Sequence, residues 1–309
     1  MASRTSVVPS RDTSGSGGGF FGRLRTGLKL SKDSLAVIRD HPKLLAFPLL
    51  GGIATIGFWI VFLIPLWIAG LFGSGIEIVV LFMLYFLTTF SATFFTASLV
   101  FAVNQAFHGE EPLLGESMRA AWQRKTAIAV WAIVAATVSV ILKKAEESNN
   151  PLARIMSSLF AVGWTVMTFF IVPVIVFEDV NARSMFSRSA STFRDTWGES
   201  IGVGMGVTII QFLLGILAVA VAVAIAGVLW LLSPAAGRFV GILLVVSALV
   251  VTYLIGQTIW AVTKTALYVY AAEERVPEQF ADFDFATLDG RTSRPATPGT
   301  VRDPPRHLG

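Results

Sequence analysis

The stretch IVVLFMLYFLTTFSATFFTASLVFAVNQAF, residues 78–107, contains thirty residues and no charged side chain. The hydrocarbon core of a bilayer is about 30 Å thick, and about 20 apolar helical residues cross it. A transmembrane β-strand would alternate apolar and polar residues with a period of two, which this stretch does not do. The stretch therefore predicts a transmembrane helix.

Five further runs in the chain share this character. They cover residues 44–72, 126–142, 155–177, 200–237 and 239–263. Only 14% of the 309 residues are charged, whereas an average soluble domain has about 25%. We therefore predict an all-α, polytopic membrane helix bundle with six spans, in a membrane domain at 23–275. A leader at 1–22 and a tail at 276–309 are rich in Gly, Ser and Pro, and we expect both to be disordered.

Basic residues are distributed unevenly about these spans. Nineteen of the 24 Lys and Arg residues lie in the two termini and in the loops after the second and fourth spans. Positive charge favours the cytoplasmic side of a membrane, so we expect a multi-pass protein of the cell membrane with both termini in the cytoplasm. Membrane sidedness also explains the net charge of +4 without a nucleic-acid partner.

The connector FEDVNARSMFSRSASTFRDTWGE, residues 177–199, is polar but periodic. Its apolar residues recur at steps of four, three and four, and they are Phe186, Ala190, Phe193 and Trp197. This spacing is typical of a helix that lies in the membrane interface, where long arginine side chains reach toward water. The same spacing precedes the first span, and its members are Leu24, Leu28, Ser31 and Leu35, with Ile38 continuing the stripe. A weaker version precedes the third span. The three predicted interfacial helices lie near 24–40, 113–124 and 182–198.

Each even-numbered span ends in a pair of acidic residues. The pairs are Glu110 with Glu111, Glu178 with Asp179, and Glu273 with Glu274. Three such pairs and three amphipathic connectors suggest a threefold repeat of an interfacial helix and a hairpin. A carboxylate at a helix C-terminus opposes the helix dipole, at a cost of about 0.3–1 kcal/mol. We therefore hypothesise a cytoplasmic ring of ion pairs. Its basic members would be Arg39, Arg119 or Arg124, and Arg188 or Arg194. The alternatives are solvated charges or, less favoured, a divalent-metal site.

The sixth span carries a polar stripe at steps of four, three, four and four residues. Its members are Tyr253, Gln257, Trp260, Lys264 and Tyr268. Polar residues are costly in hydrocarbon and often mark function, so the stripe could line a solute path. The favoured interpretation is that Lys264 reaches toward the interface while the aromatic residues pack between helices or lie at the membrane surface.

The sequence offers little catalytic chemistry. It has no cysteine and only three histidines. It also lacks the phosphate-binding, zinc-protease and nucleophile-elbow motifs. We therefore expect no enzymatic activity, no cofactor and no metal.

Two segments resemble a known family. SKDSLAVIRDHPKLLAFPLLGG at 31–52 and VPVIVFEDVNARSMFSRSASTFRDTWGE at 172–199 are similar to a family of uncharacterised prokaryotic six-span integral membrane proteins, a domain of unknown function. The resemblance covers roughly residues 25–275. It implies a membrane protein and assigns no activity. A looser likeness connects the hairpins to the membrane domain of some glycerophosphodiester phosphodiesterases.

The leading functional prediction is a non-enzymatic scaffold, or a protein that organises the envelope or its lipids. Its basic amphipathic helices would contact anionic lipid headgroups of the bilayer. The alternative is a transporter or channel for a small solute or lipid, which would need a cavity that reaches both Gln257 and Lys264. A homo-oligomer or an unidentified membrane partner is left open.

Overall fold

The computed structural model describes residues 20–70, 75–181, 184–197, 203–273, 275–281 and 283. Those residues form ten α-helices and two short 3-10 turns, with no strand among them, which confirms the all-α prediction. The helices are α1 (Phe20–Asp40), α2 (Ala46–Ile68), α3 (Glu77–Phe107), α4 (Leu114–Gln123), α5 (Lys125–Glu146), α6 (Pro151–Met167), α7 (Ile171–Phe177), α8 (Ser184–Trp197), α9 (Val203–Leu232) and α10 (Pro234–Glu273). The 3-10 turns are Pro42–Leu45 and Glu278–Phe280.

Six segments of the described chain are long and apolar enough to cross a membrane. They are α2 with its preceding turn, α3, α5, α6 with α7, α9, and α10. Large apolar side chains cover their outer surfaces: Trp67 is 74% exposed and Leu231 is 88% exposed. Such a surface suits hydrocarbon, since a bilayer does not penalise exposed apolar groups as water does. The prediction of six spans is confirmed.

The fifth and sixth spans form a tight antiparallel hairpin. The uncharged run 200–237 contains its turn, because α9 ends at Leu232 and α10 begins at Pro234. Proline is favoured at the first position of a helix, where its missing N–H would have no partner in any case. The predicted boundary at residue 237 therefore falls within α10.

Small residues let α9 and α10 approach closely. A Cβ added to Gly215 would lie 3.1 Å from Cγ2 of Thr252. The side-chain amide of Gln211 donates a hydrogen bond to the carbonyl oxygen of Gly256 at 3.0 Å. Gln211 thus fixes the hairpin with a polar contact inside an apolar layer.

The fourth span is interrupted at residues 168–170, between α6 and α7. Pro173 explains the position of the break, because a proline ring clashes with the carbonyl group four residues earlier. A break frees backbone groups that need a partner in the membrane. The freed N–H of Phe170 donates to the hydroxyl of Ser189 on α8, at 3.1 Å in a buried environment. The connector helix α8 therefore completes the broken span.

Helices α1, α4 and α8 coincide with the three predicted amphipathic connectors, and their interfacial location stays a prediction. Helix α1 packs against α9 and α10. On its packed face, the hydroxyls of Ser34 and Thr263 are hydrogen bonded at 2.9 Å. The predicted apolar stripe is divided, since Leu28 (57% exposed) and Leu35 (46% exposed) face outward whereas Ser31 and Ile38 are buried.

The packed chain extends beyond the predicted domain limits at both ends. Helix α1 begins at Phe20, within the predicted leader. After α10, Phe280 is fully buried with its ring 5.9 Å from that of Phe107. The Gln279 amide donates to the carbonyl oxygen of Ala106 at 3.1 Å. An aromatic anchor thus holds the start of the predicted tail, and the rest of the predicted leader and tail lies outside the described residues.

Candidate functional site

Glu178 lies at the centre of a hydrogen-bond cluster directly after α7. Both carboxylate oxygens accept from Nε of Arg188, at 2.7 Å and 2.9 Å. The hydroxyl of Tyr268 donates to Oε1 of the same carboxylate. One acidic residue therefore connects the fourth span, the connector α8 and the sixth span.

Aromatic packing fixes the position of Tyr268. Its side chain is buried. Its ring is stacked on that of Phe177, with the centroids 5.5 Å apart, and is tilted against that of Phe170, with the centroids 5.8 Å apart. Aromatic pairs of this kind add about 0.5–1.5 kcal/mol beyond the area that they bury. Tyr268 is therefore an internal residue of the bundle.

Two further ion pairs connect the ends of the first two hairpins, one at α2 and α3 and the other at α5 and α7. Nζ of Lys43 lies 2.5 Å from Oε1 of Glu111, and Nη1 of Arg124 lies 2.9 Å from Oδ1 of Asp179. In each hairpin, a basic residue just ahead of the first helix meets an acid just after the second. The Lys43 ammonium lowers the pKa of Glu111 by hydrogen bonding and by its charge. Both pairs are largely exposed, so their net contribution to stability is small.

Two of the hypothesised basic residues form ion pairs with the acidic residues, and their arrangement in a cytoplasmic ring stays a prediction. Arg188 with Glu178 and Arg124 with Asp179 match the hypothesis. Glu111 binds Lys43, which is not among the hypothesised basic members.

The remaining members differ from the hypothesis. Arg39 and Glu110 form no ion pair with described residues, and Glu273 meets the neighbouring Arg275 at 3.6 Å. Glu274 lies outside the described residues, and a threefold repeat is not shown. A sequence signal for Lys43 existed, since it precedes its span as Arg124 does.

A groove of about 890 Å³ separates α6 from α8. Its α6 wall is apolar and consists of Gly163, Val166 and Met167. Its α8 wall carries the polar and cationic residues Ser184, Ser187, Arg188, Ser191 and Arg194 beside the apolar Ala190 and Phe193. Glu178 also borders the groove. An apolar wall that faces a cationic one suits an amphiphile with an anionic head. The sequence places both arginines on one helix, but the facing wall becomes visible only in the structure.

The polar stripe of the sixth span divides among three environments. Tyr253 and Gln257 line a second groove, between α10 and the helices α2 and α3. Nζ of Lys264 lies 4.6 Å from the ring centroid of Phe169 and 5.1 Å from that of Trp260. Tyr268, as described above, binds Glu178. The stripe therefore does not form one continuous polar face.

Acidic and histidine side chains do not gather into a metal-binding set in the described part of the chain. No three of them lie close enough together to hold an ion. The arrangement instead offers arginines, hydroxyl groups and apolar walls, which are groups that bind lipids through charge, hydrogen bonding and burial.

Six apolar helices, joined by basic amphipathic connectors, define a multi-pass α-helical membrane protein. The chain belongs to DUF6159, a family of unknown function whose model matches residues 75–277. This match runs from the second span to the end of the sixth and confirms the resemblance to a family without assigned activity. No curated protein and no solved structure matches the chain. The looser likeness to the glycerophosphodiester phosphodiesterase membrane domain gains no support from these comparisons.

Proposed function

We propose that this protein is a non-enzymatic organiser of membrane lipids that binds an anionic phospholipid in the groove between α6 and α8. The observation that carries the proposal is the pairing of an apolar wall with a cationic wall in one groove. The connectors and both termini would lie on the cytoplasmic side, so the ligand would come from the cytoplasmic leaflet.

The charges of the groove favour an anionic head. Two arginines and one glutamate border it. Glu178 accepts hydrogen bonds from Arg188 and Tyr268, which offset its negative charge. A guanidinium carries five N–H donors and recognises phosphate bidentately. Arg194 also borders the groove, about 1.7 helical turns after Arg188 on α8.

The apolar wall provides a surface for acyl chains. On α6, Leu159, Phe160 and Val162 are exposed and continue from the groove along the helix. Ligand pockets commonly have volumes of about 300–1,000 Å³. A groove of about 890 Å³ therefore has room for a headgroup and the first part of its chains.

A transport role is the alternative, and the same geometry supports it less well. A solute path along the stripe needs one cavity that reaches both Gln257 and Lys264. Gln257 lines the groove between α10 and the helices α2 and α3. Lys264 does not line this groove, and its ammonium group contacts the ring faces of Phe169 and Trp260 instead. The lipid-organising role needs no such continuity, and it is compatible with a homo-oligomer or another membrane partner.

Lipid titration of the full-length protein tests the proposal. Native mass spectrometry of wild type and Arg194→Gln, with added phosphatidylglycerol or phosphatidylcholine, measures binding of each lipid. Since an arginine near an anionic surface contributes about 1 kcal/mol, we expect about fivefold weaker phosphatidylglycerol binding in the variant.

Arg238→Gln is the matched control, because Arg238 lies at the opposite end of the bundle and donates to its own helix. We expect this control to bind phosphatidylglycerol as wild type does. Equal binding of both lipids by wild type, or an Arg194→Gln variant indistinguishable from Arg238→Gln, would refute the proposal.

A further inference from the structure

The second groove, which we call the Gln257 groove, lies between α10 and the helices α2 and α3 and has a volume of about 280 Å³. The residues that matter for its chemistry are Gly52, Thr88, Thr96, Tyr253 and Gln257. Gln257 lies 16 residues before the end of α10 at Glu273, which is about 24 Å along the helix axis at 1.5 Å per residue. Gln257 therefore lies well inside the sixth span, whereas the opposite side of the groove extends to Pro48, near the start of α2.

Two polar side chains that line the Gln257 groove have no hydrogen-bond partner in the described part of the chain. Neither the amide of Gln257 nor the hydroxyl of Tyr253 forms a hydrogen bond with any described residue, although both border the open space. Thr88, in contrast, accepts a hydrogen bond from the indole N–H of Trp59 at 2.9 Å. An amide and a phenol in hydrocarbon are costly without hydrogen bonds. Their joint exposure to one cavity indicates a ligand that satisfies them.

Charge restricts the nature of that ligand. Among the residues that the structure describes, no Lys, Arg, His, Asp or Glu lines the groove. A phosphate or carboxylate head would therefore lose its hydration at this depth without gaining a counter-charge. An uncharged head with a hydroxyl or carbonyl oxygen loses less and can bond the Gln257 amide, which both donates and accepts.

We propose that the Gln257 groove binds an uncharged membrane-embedded lipid whose head is a hydroxyl or carbonyl oxygen. Two sources share this chemistry: a long-chain isoprenoid alcohol, whose head donates and accepts, and a quinone, whose head only accepts. The tail lies against the apolar walls, which include Ile56 and Phe95.

Two neighbouring glycines give the groove its shape. A Cβ added to Gly51 would lie 3.1 Å from Cβ of Phe95, so Gly51 allows α2 to approach α3. A Cβ added to Gly52 would meet nothing within 4 Å, so Gly52 leaves the volume open. Because Gly52 lines the groove, a larger side chain at this position would occupy part of its volume.

Binding of defined lipids to the delipidated full-length protein tests this inference. Native mass spectrometry measures the binding of geranylgeraniol, decylubiquinone and oleate. A diazirine derivative of geranylgeraniol then locates the site by crosslinking. Gly52→Leu fills the groove, Gln257→Leu removes its amide, and Gly57→Leu is the control because that position on α2 is open but does not line the groove.

We expect wild type and Gly57→Leu to bind at least one neutral probe, with crosslinks on α2, α3 and α10, and to bind oleate more weakly. The preference between the alcohol and the quinone identifies the head. Gln257→Leu loses one hydrogen bond to the ligand and Gly52→Leu loses the open volume, so each variant should bind the neutral probe roughly tenfold more weakly.

Three outcomes would overturn the inference: oleate binding equal to that of the neutral probes, crosslinks confined to other helices, or unchanged affinity in both variants. The two substitutions lie on different helices, so if thermal unfolding shows that one is misfolded, the other decides. The outcome is independent of the proposed phospholipid groove, since Arg194→Gln should bind the neutral probe as wild type does.

Discussion

The contact between Tyr268 and Glu178 gives the sharpest test of the packing described here. Tyr268→Phe removes only the hydroxyl and keeps the ring between Phe170 and Phe177, so it creates almost no cavity. A hydrogen bond to a charged group contributes about 1.5–3 kcal/mol net. The Glu178 side chain is 25% exposed and keeps its contact with Arg188, so water compensates for part of the loss. We therefore expect Tyr268→Phe to lower the free energy of unfolding by about 1–2 kcal/mol.

Equilibrium unfolding in mixed detergent and dodecyl sulfate micelles measures this loss. Tyr85→Phe is the control, because Tyr85 is half-buried on α3 and has no hydrogen-bond partner among the described residues. We expect the control to lie within about 0.5 kcal/mol of wild type.

A double-mutant cycle with Arg188→Gln tests whether the carboxylate is shared. While one donor remains, Glu178 is still partly satisfied. The double variant should therefore cost more than the sum of the single variants, by at least about 0.5 kcal/mol. Strict additivity would show that the two donors do not act through a shared carboxylate. A Tyr268→Phe variant as stable as Tyr85→Phe would show that the hydrogen bond does not hold the spans together.

Two further predictions concern the broken span and an exposed ion pair. Ser189→Ala leaves a buried backbone N–H without its acceptor and should lower the free energy of unfolding by about 1–3 kcal/mol in the same assay. The control is Ser191→Ala, which should leave that free energy unchanged because the Ser191 hydroxyl donates to its own helix. The lowered pKa of Glu111 means that the unfolded chain holds this proton more tightly, so the pair stabilises at neutral pH and is lost as pH falls below the ordinary value of 4.5. Glu111→Gln should therefore have a lower unfolding midpoint than wild type at pH 7 and the same midpoint in strong acid. A difference that persists in acid would contradict this explanation.

Hydropathy was sufficient to predict the six spans, because each long apolar run is favourable in hydrocarbon regardless of its neighbours. Hydropathy did not predict the position of the turn between α9 and α10, because Ser233 and Pro234 interrupt the apolar run without any charge. Periodicity predicted the amphipathic connectors. It did not predict that Ser189 of α8 would satisfy the backbone of α6 and α7, which is a contact between distant segments.

The candidate sites were only partly predictable for the same reason. The sequence identified Glu178, Arg188 and Gln257 as unusual polar residues near or within spans. It did not reveal that Glu178 binds Tyr268 across the bundle, or that Gln257 and Lys264 lie in different environments. One stripe on a helix meets several neighbouring helices, and only the packing decides which residue meets which.

The Ser189 contact has a consequence for biosynthesis. Phe170 and Ser189 are separated by 19 residues, and at about 5–20 residues per second the ribosome needs roughly 1–4 s to add them. During that interval the interrupted segment has reached the translocation machinery without the hydroxyl that completes it. The nascent chain must therefore shield one backbone amide elsewhere, with water in the insertion channel or with a chaperone, until the serine arrives.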